Sequence, residues 1–243
     1  MEDQKITSYS IYNEDAKKRK KLNLLDDLYP PLPNEKFEII YADPPWDYNG
    51  KMQFDKTGLN ENFDPNKKVF ISSASFKYPT LKTSELKNLD VQSITADNAL
   101  LFMWTTGPFL DQSIELGQAW GFNYKTIAFV WNKMMHNPGQ YTLSYCELCL
   151  VFKKGLIPKP RGARNIKQLV EVPRGVHSEK PLEVLQSIGR MFPSQKKIEL
   201  FARSTEAGWT PWGLDSIVQN GERKMYQSED DKTEYDKLQK DLF

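Results

Sequence analysis

Five short apolar runs, separated by segments with helical periodicity, constrain the fold of this 243-residue chain more than any other feature. A continuous apolar run suits a strand that is buried on both faces of a sheet. Strands that alternate with helices predict an α/β fold, here a doubly wound, mostly parallel sheet with helices on both faces. The predicted strands are FEIIYA (37–42), ALLFMW (99–104), KTIAFVW (125–131), CELCLVFK (146–153) and KKIELFA (196–202).

Three segments between these strands have helical spacing and recognisable start signals. TSELKNL offers Thr83 or Ser84 as a cap, GPFLDQSIELGQAWG ends at Gly121, and KPLEVLQSIGRMF has Pro181 in its first turn. Ligands of doubly wound folds bind at the carboxyl ends of the strands. Position in the chain assigns three loops to that edge, 43–79, 132–145 and 154–180.

The chain divides by composition into an arm, a domain and a tail. Residues 1–36 contain the basic run KKRKK (17–21) and end in YPPLPNEK, which predicts an N-terminal arm with a stiff linker. We assign 37–219 to one globular domain and the charged residues 220–243 to a tail. No apolar run reaches membrane-spanning length and no secretory signal is recognised, so we expect an intracellular protein without membrane contact.

Several function classes are disfavoured. No G-x-G-x-x-G or G-x-x-x-x-G-K-[ST] motif follows a predicted strand, which argues against dinucleotide dehydrogenases and P-loop enzymes. Cys146 and Cys149 are the only cysteines, too few for a disulfide framework or a four-cysteine zinc site. We interpret both as reduced core thiols.

Positive charge is concentrated in one segment although the net charge is only +1. Residues 153–180 carry eight lysines and arginines against Glu171 and Glu179, a local excess of six. Such a segment is typical of contacts with nucleic acid or phosphate. The alternative is a solvated basic loop.

The stretch ADPPW (42–46) places an acid, two prolines and a tryptophan directly behind the first strand. Prolines fix the backbone and leave their carbonyls as acceptors, so Asp43 and the Pro44 carbonyl could grip both hydrogens of an aromatic amine while Trp46 stacks on its ring. That grip favours the pyramidal nitrogen whose lone pair can attack an electrophilic carbon. Nucleobase amination sites fit this description. A rigid turn with a core tryptophan is the alternative.

These residues and their order resemble the adenine-N6 methyltransferase family that includes the catalytic subunit of the eukaryotic mRNA adenosine methyltransferase, and especially its compact bacterial and phage DNA members. The resemblance implies a Rossmann-like fold with S-adenosyl-L-methionine as methyl donor, and a reaction without metal. It covers about 175 residues, through DPPW (43–46), KYPTL (77–81), ALLFMWTTGPFL (99–110), AWGFNYKTIAFVWNK (119–133), ELCLVFKKG (147–155), HSEKPLE (177–183) and KKIELFARSTEAGWTPWG (196–213).

The resemblance also implies roles for individual residues. The catalytic motif would be Asp43, Pro44, Pro45 and Trp46, with Tyr78 stacking on the target base. Substrate contacts would come from Lys159, Arg161, Arg164, His177 and Lys180. Donor contacts would come from Asp43, Lys154 or its neighbour Lys153, Glu199, Arg203, Thr205, Glu206 and Asp215.

Some features depart from the family pattern. Leu214 stands where many relatives have asparagine, which puts donor affinity in question, and Leu182 replaces an acid. A long polar insertion occupies 47–76. An inactive nucleic-acid-binding partner of the same fold is therefore an alternative to an enzyme.

We predict methylation of adenine N6 in DNA, with RNA as the second candidate substrate. A small-molecule amine methyltransferase would leave the basic 153–180 segment unexplained. By resemblance, the chain forms a homodimer or a heterodimer with a paralogue through loops after the third and fourth strands. Its location would be cytoplasmic in a bacterial or phage setting and nuclear in a eukaryotic one.

Overall fold

The apolar runs form the strands of one sheet. The computed structural model describes residues 25, 29–47, 80–137, 141–174, 179–203 and 205–213. Within these ranges the strands are β1 (Phe37–Ala42), β2 (Thr95–Thr105), β3 (Asn123–Asn137), β4 (Ser144–Lys154), β5 (Leu169–Glu171), β6 (Lys197–Leu200) and β7 (Thr210–Trp212). The helices are α1 (Thr83–Leu86), α2 (Leu110–Ala119) and α3 (Leu182–Met191), with 3₁₀ turns at Val91–Ile94 and Gly107–Phe109.

The sheet is mostly parallel, which confirms the predicted fold class. Its strand order is β5-β3-β4-β2-β1-β6-β7. Strand β1 lies parallel to β2 and β6, while β6–β7 and β3–β5 are also parallel pairs. Strand β4 is antiparallel to both β2 and β3. The reversal of β4 corrects one prediction, because the segment that begins at residue 154 leaves the sheet at the edge opposite to the carboxyl end of β1.

Helices cover both faces of the sheet, as doubly wound folds require. On one face, Leu116 of α2 and the following Trp120 are buried against alternate residues of β2 such as Met103. On the other, Ile188 of α3 packs with the intervening residues, among them Trp104. Helix α2 lies close to the sheet, since a Cβ added at Gly117 would fall 2.4 Å from the Phe152 ring. The continuous apolar runs therefore reflect strands buried on two sides.

Several local predictions need correction. Helix α1 is preceded by Lys82, whose backbone N–H donates to Glu85 Oε2 at 2.7 Å, so neither Thr83 nor Ser84 is its cap. Pro181 precedes the first residue of α3. Cys149 is buried, but Cys146 is exposed and is not a core thiol.

Strands β3 and β4 are longer than their apolar runs. Thr105 ends β2 opposite Leu148, whereas β3 continues to Asn137. These two strands therefore extend beyond β2 at the carboxyl edge of the sheet. No helix in the described ranges is long and apolar enough to span a membrane.

Candidate active site

Asp43 follows β1 directly and lies at the carboxyl edge of the sheet. Its side chain is 21% exposed, and both of its carboxylate oxygens are 3.0 Å from Lys180 Nζ. Lys180 reaches this point from the segment that enters α3. The acid is therefore ionically paired and open to solvent on one side, as a group that accepts a ligand must be.

A cleft lies beside Asp43; its enclosed space is about 50 Å³, and the volume reaches about 540 Å³ only when space open to solvent is counted. Charged, polar and apolar side chains all line the cleft; the set is Tyr41, Asp43, Glu179, Lys180, Pro181, Leu182, Leu185, Glu199, Phe201 and Arg203. The carboxyl ends of β1 and β6 thus form a concave site rich in carboxylates.

The Pro-Pro turn is held by its own carbonyls, which differs from the prediction that these acceptors are free. The Pro44 carbonyl accepts the Trp46 N–H at 2.8 Å, and the Pro45 carbonyl accepts the Leu81 N–H at 2.7 Å. A carbonyl oxygen has two lone pairs, so Pro44 can still accept one further hydrogen bond. The turn gains rigidity from these bonds.

Trp46 is a core residue, which corrects its predicted role as a stacking surface for a base. It is 4% exposed, and its ring stacks on Phe109 with centroids 5.4 Å apart. Its indole N–H donates to the Trp104 carbonyl at 3.3 Å. The alternative of a rigid turn with a core tryptophan describes this residue correctly.

A chain of alternating charges runs inward from Asp43. Glu147 of β4 lies 3.3 Å from Lys180 Nζ and 3.2 Å from the Nζ of Lys133 of β3. Lys133 is buried at 2% exposure. Burial alone would raise the pKa of Glu147, but Lys180 and Lys133 together outweigh it and hold that pKa below its usual value. Glu147 therefore stays ionised inside the protein.

Glu199 is a second carboxyl group that lines the cleft. It pairs in register with Tyr41 on β1. Burial, followed by the negative charges of Asp43, Glu206 and Glu179, raises its pKa to about 8, although Arg203 opposes the shift. At neutral pH Glu199 is mostly protonated and can donate a hydrogen bond. A carboxyl group whose pKa is raised by burial and by neighbouring charges in a cleft is typical of functional sites.

The structure does not bring Lys154 to this site. Lys154 pairs with Ala99 near the start of β2, whereas Ala42, just before Asp43, pairs with Met103. Ala99 and Met103 are four residues apart along β2, which corresponds to about 13 Å at the usual rise per strand residue. The predicted contact between Lys154 and the donor carboxylate is therefore wrong in its placement, because β4 runs antiparallel.

The residues around the cis Lys159–Pro160 bond also lie at the opposite edge. The backbone N–H of Gly162 donates to the Met191 carbonyl at the end of α3, and the Arg161 guanidinium covers the Phe192 ring at 4.6 Å. Helix α3 is ten residues long, about 15 Å. Lys159, Arg161 and Arg164 therefore do not share a surface with Lys180, and the described residues of the 153–180 segment do not form one continuous basic face.

The remaining predicted residues divide into two groups. Arg203 lines the cleft, Glu206 lies near enough to raise the pKa of Glu199, and Thr205 is exposed on the same loop. Tyr78, His177 and Asp215 lie outside the described residues, as do 48–76 of the insertion and the basic run 17–21.

Sequence reasoning did not single out Lys133 or Glu147. Their signal was present, because each is a single charged residue beside an apolar strand run, in AFVWNK and CELCLVF. A charge in such a position must find a partner or remain at an edge. The pairing itself depends on the β3–β4 register, which places Trp131 opposite Glu147.

A mostly parallel sheet with helices on both faces and a carboxylate-lined cleft beyond β1 defines a Rossmann-like fold of the methyltransferase type. The MT-A70 family model matches residues 37–215. The chain belongs to the MT-A70 family.

Individual relatives agree with this membership. The chain is 62% identical over 212 residues to the type II methyltransferase M.MunI of Mycoplasma sp, covering 87% of this chain and 91% of that protein. It is 30% identical over 190 residues to a putative N(6)-adenosine-methyltransferase MT-A70-like protein of Medicago truncatula. It is 26% identical over 196 residues to the N(6)-adenosine-methyltransferase catalytic subunit METTL3 of Homo sapiens. The matches cover 73% and 75% of this chain but only 26% and 29% of these two longer relatives.

Proposed function

We propose that the chain is a site-specific DNA methyltransferase that transfers a methyl group from S-adenosylmethionine to N6 of adenine. The observation that carries this proposal is the 62% identity to a type II methyltransferase across nearly the whole length of both proteins. The N(6)-adenosine specificity named for the more distant relatives supports adenine N6 as the acceptor.

The cleft residues fit the chemical groups of S-adenosylmethionine. This donor carries a sulfonium, an ammonium, a carboxylate and ribose hydroxyls. The acidic side chains of Asp43 and Glu179 suit the cations, Arg203 suits the carboxylate, and Glu199 can bond to ribose hydroxyls. Thr205 and Glu206 are proposed contacts for the nucleoside part.

When bound, S-adenosylmethionine supplies an electrophilic methyl group on its sulfonium. We propose that Asp43 accepts one hydrogen of the adenine amino group and that the second lone pair of the Pro44 carbonyl accepts the other. Holding both hydrogens favours a pyramidal N6 with a localised lone pair, which is the reactive form of the amine. After methylation N6 must lose a proton, and Asp43 passes it to water.

The target base must leave its stack to reach Asp43, because N6 lies on the paired edge of adenine in a duplex. Since Trp46 is buried, the stacking contact with that base is proposed for Tyr78. We propose that Lys180 contacts the nucleic acid close to Asp43, with which it is paired. Contacts by His177 with the substrate and by Asp215 with the donor remain predictions, as does assembly into a homodimer or heterodimer.

Methyl transfer from labelled donor to matched DNA and RNA oligonucleotides tests the proposal. Incorporation into adenine of DNA is expected, whereas incorporation into RNA alone would favour the second candidate. Calorimetry with the donor separates an enzyme from an inactive partner, because a degenerate scaffold would not bind it. Absence of transfer to either polymer, with intact donor binding, would contradict both candidates.

A further inference from the structure

Lys133 and Glu147 form a buried ion pair close to the cleft. Their charged atoms are 3.2 Å apart, and the side chains are 2% and 11% exposed. A buried pair contributes little net stability, because the cost of removing both charges from water offsets their attraction. An apolar pair would fill the same space without this cost. The presence of charges at this depth therefore calls for an explanation other than stability.

The backbone next to Lys133 departs from regular strand geometry. The β3–β4 register breaks between Asn132 and Asn137. Met134 has φ 55°, in the left-handed region that non-glycine residues rarely adopt, and its N–H donates to Asn132 Oδ1 at 3.0 Å. Backbone strain of this kind concentrates at functional sites. The strained turn thus supports a role for Lys133 in the site.

Lys180 joins this pair to the cleft. Its ammonium lies 3.0 Å from Asp43 and 3.3 Å from Glu147, and 5.8 Å from the centre of the Trp104 ring. The segment that leads towards Lys180 is attached to β3 as well, since the Arg174 N–H donates to the Lys133 carbonyl at 3.2 Å. The ammonium is therefore held between two carboxylates, one that directly follows β1 and one on β4.

We propose that Glu147, held by Lys133, is a positioning residue for methyl transfer: it keeps Lys180 between two carboxylates and so fixes where Asp43 meets the adenine amino group. The Lys180 ammonium has three N–H donors. Because some of them are directed to Glu147, the Asp43 oxygens keep lone pairs that can accept hydrogen bonds from the substrate. Without Glu147, Lys180 would pair with Asp43 alone and compete with the adenine. This inference rests on the proposed function.

The test uses the full chain and removes both charges of the buried pair. In the double variant Lys133→Met with Glu147→Met, the pair is replaced by apolar side chains, so folding should be preserved. We expect kcat for DNA to fall about 10²-fold through misplacement of the reacting groups, while the KM for the donor changes less than about threefold. Glu147→Gln in the Lys133→Met background keeps an acceptor for Lys180 and should recover part of kcat.

A matched control removes an exposed ion pair away from the cleft. Lys87 and Glu115 are 2.6 Å apart on the surface, and Lys87→Met with Glu115→Met should leave kcat unchanged. A double variant of the buried pair that unfolds at the wild-type temperature and keeps the wild-type kcat would overturn the positioning role. If the double variant is unstable, the glutamine-containing variant carries the test. A folded glutamine-containing variant whose kcat still falls by the full amount, about 10²-fold, would then overturn the positioning role. Failure of the proposed function is distinct, since the wild type itself would then not methylate DNA.

Discussion

Replacing Glu199 by glutamine should remove a large part of the pH dependence of unfolding. The pKa of Glu199 is raised to about 8 by burial and by Asp43, Glu206 and Glu179. The folded protein therefore keeps a proton on this carboxyl group at pH values where the unfolded chain releases it. Because the native state binds more protons, the free energy of unfolding falls as pH rises from the unfolded pKa of 4.5 towards 8. The stabilising contribution of the Glu199 proton is complete below about pH 4.5 and is lost above about pH 8.

The magnitude follows from the width of the window. Each unit of pH within it corresponds to about 1.4 kcal/mol for a single proton. Between about pH 6 and the pKa near 8, the wild type should lose about 2–3 kcal/mol from this site. Glutamine has a similar shape and no proton to lose, so the variant should lose nothing from this position.

Urea unfolding of both proteins at about pH 6 and about pH 9 measures the effect. The stability of the glutamine variant relative to wild type should rise by about 2–3 kcal/mol between the two conditions. The matched control is Glu115→Gln on the exposed face of α2, which should follow the wild type. Parallel curves for Glu199→Gln and wild type would refute the assignment of a protonated carboxyl group in the cleft.

Three further predictions concern placement and packing. Trp46→Ala should lower the free energy of unfolding by about 3–5 kcal/mol in urea, since the ring is buried, and a loss below about 1 kcal/mol would contradict its place in the core. Lys154→Ala should leave the calorimetric donor Kd unchanged, whereas Arg203→Ala should raise it about tenfold or more by removing a charge-assisted contact. A larger increase in Kd for Lys154→Ala than for Arg203→Ala would contradict this placement of the donor site. Gly117→Ala should cost about 1–3 kcal/mol because its Cβ meets Phe152, and Phe152→Leu should recover part of this in the double variant; additive losses would oppose that reasoning.

The layers of the fold could be predicted from apolar periodicity, but the direction of one strand could not. FEIIYA and ALLFMW became β1 and β2 of a parallel pair, as expected. CELCLVFK became β4, which is antiparallel to its neighbours. A continuous apolar run indicates burial on both faces and carries no information about strand direction. The misplacement of Lys154 and of the following basic residues followed from this single ambiguity.

The site was predictable where chain position alone determines geometry. Asp43 follows a buried strand, so its place at the carboxyl edge required only that β1 be a strand of the sheet. Trp46 was harder, because the same two prolines suit an open stacking platform and a closed turn. The Lys133–Glu147–Lys180 chain joins residues on β3, β4 and the approach to α3. Only the register of the two strands brings these charges together.

The most direct measurement is a single-turnover assay of N6-methyladenine in DNA, with wild type and Asp43→Ala compared at saturating donor. The Asp43 carboxylate faces the cleft at the end of β1 and is proposed to hold the adenine amino group. Loss of that contact should slow methylation by about 10²–10³-fold in a variant that still unfolds cooperatively. An alanine variant that forms N6-methyladenine at the wild-type rate would contradict the proposal.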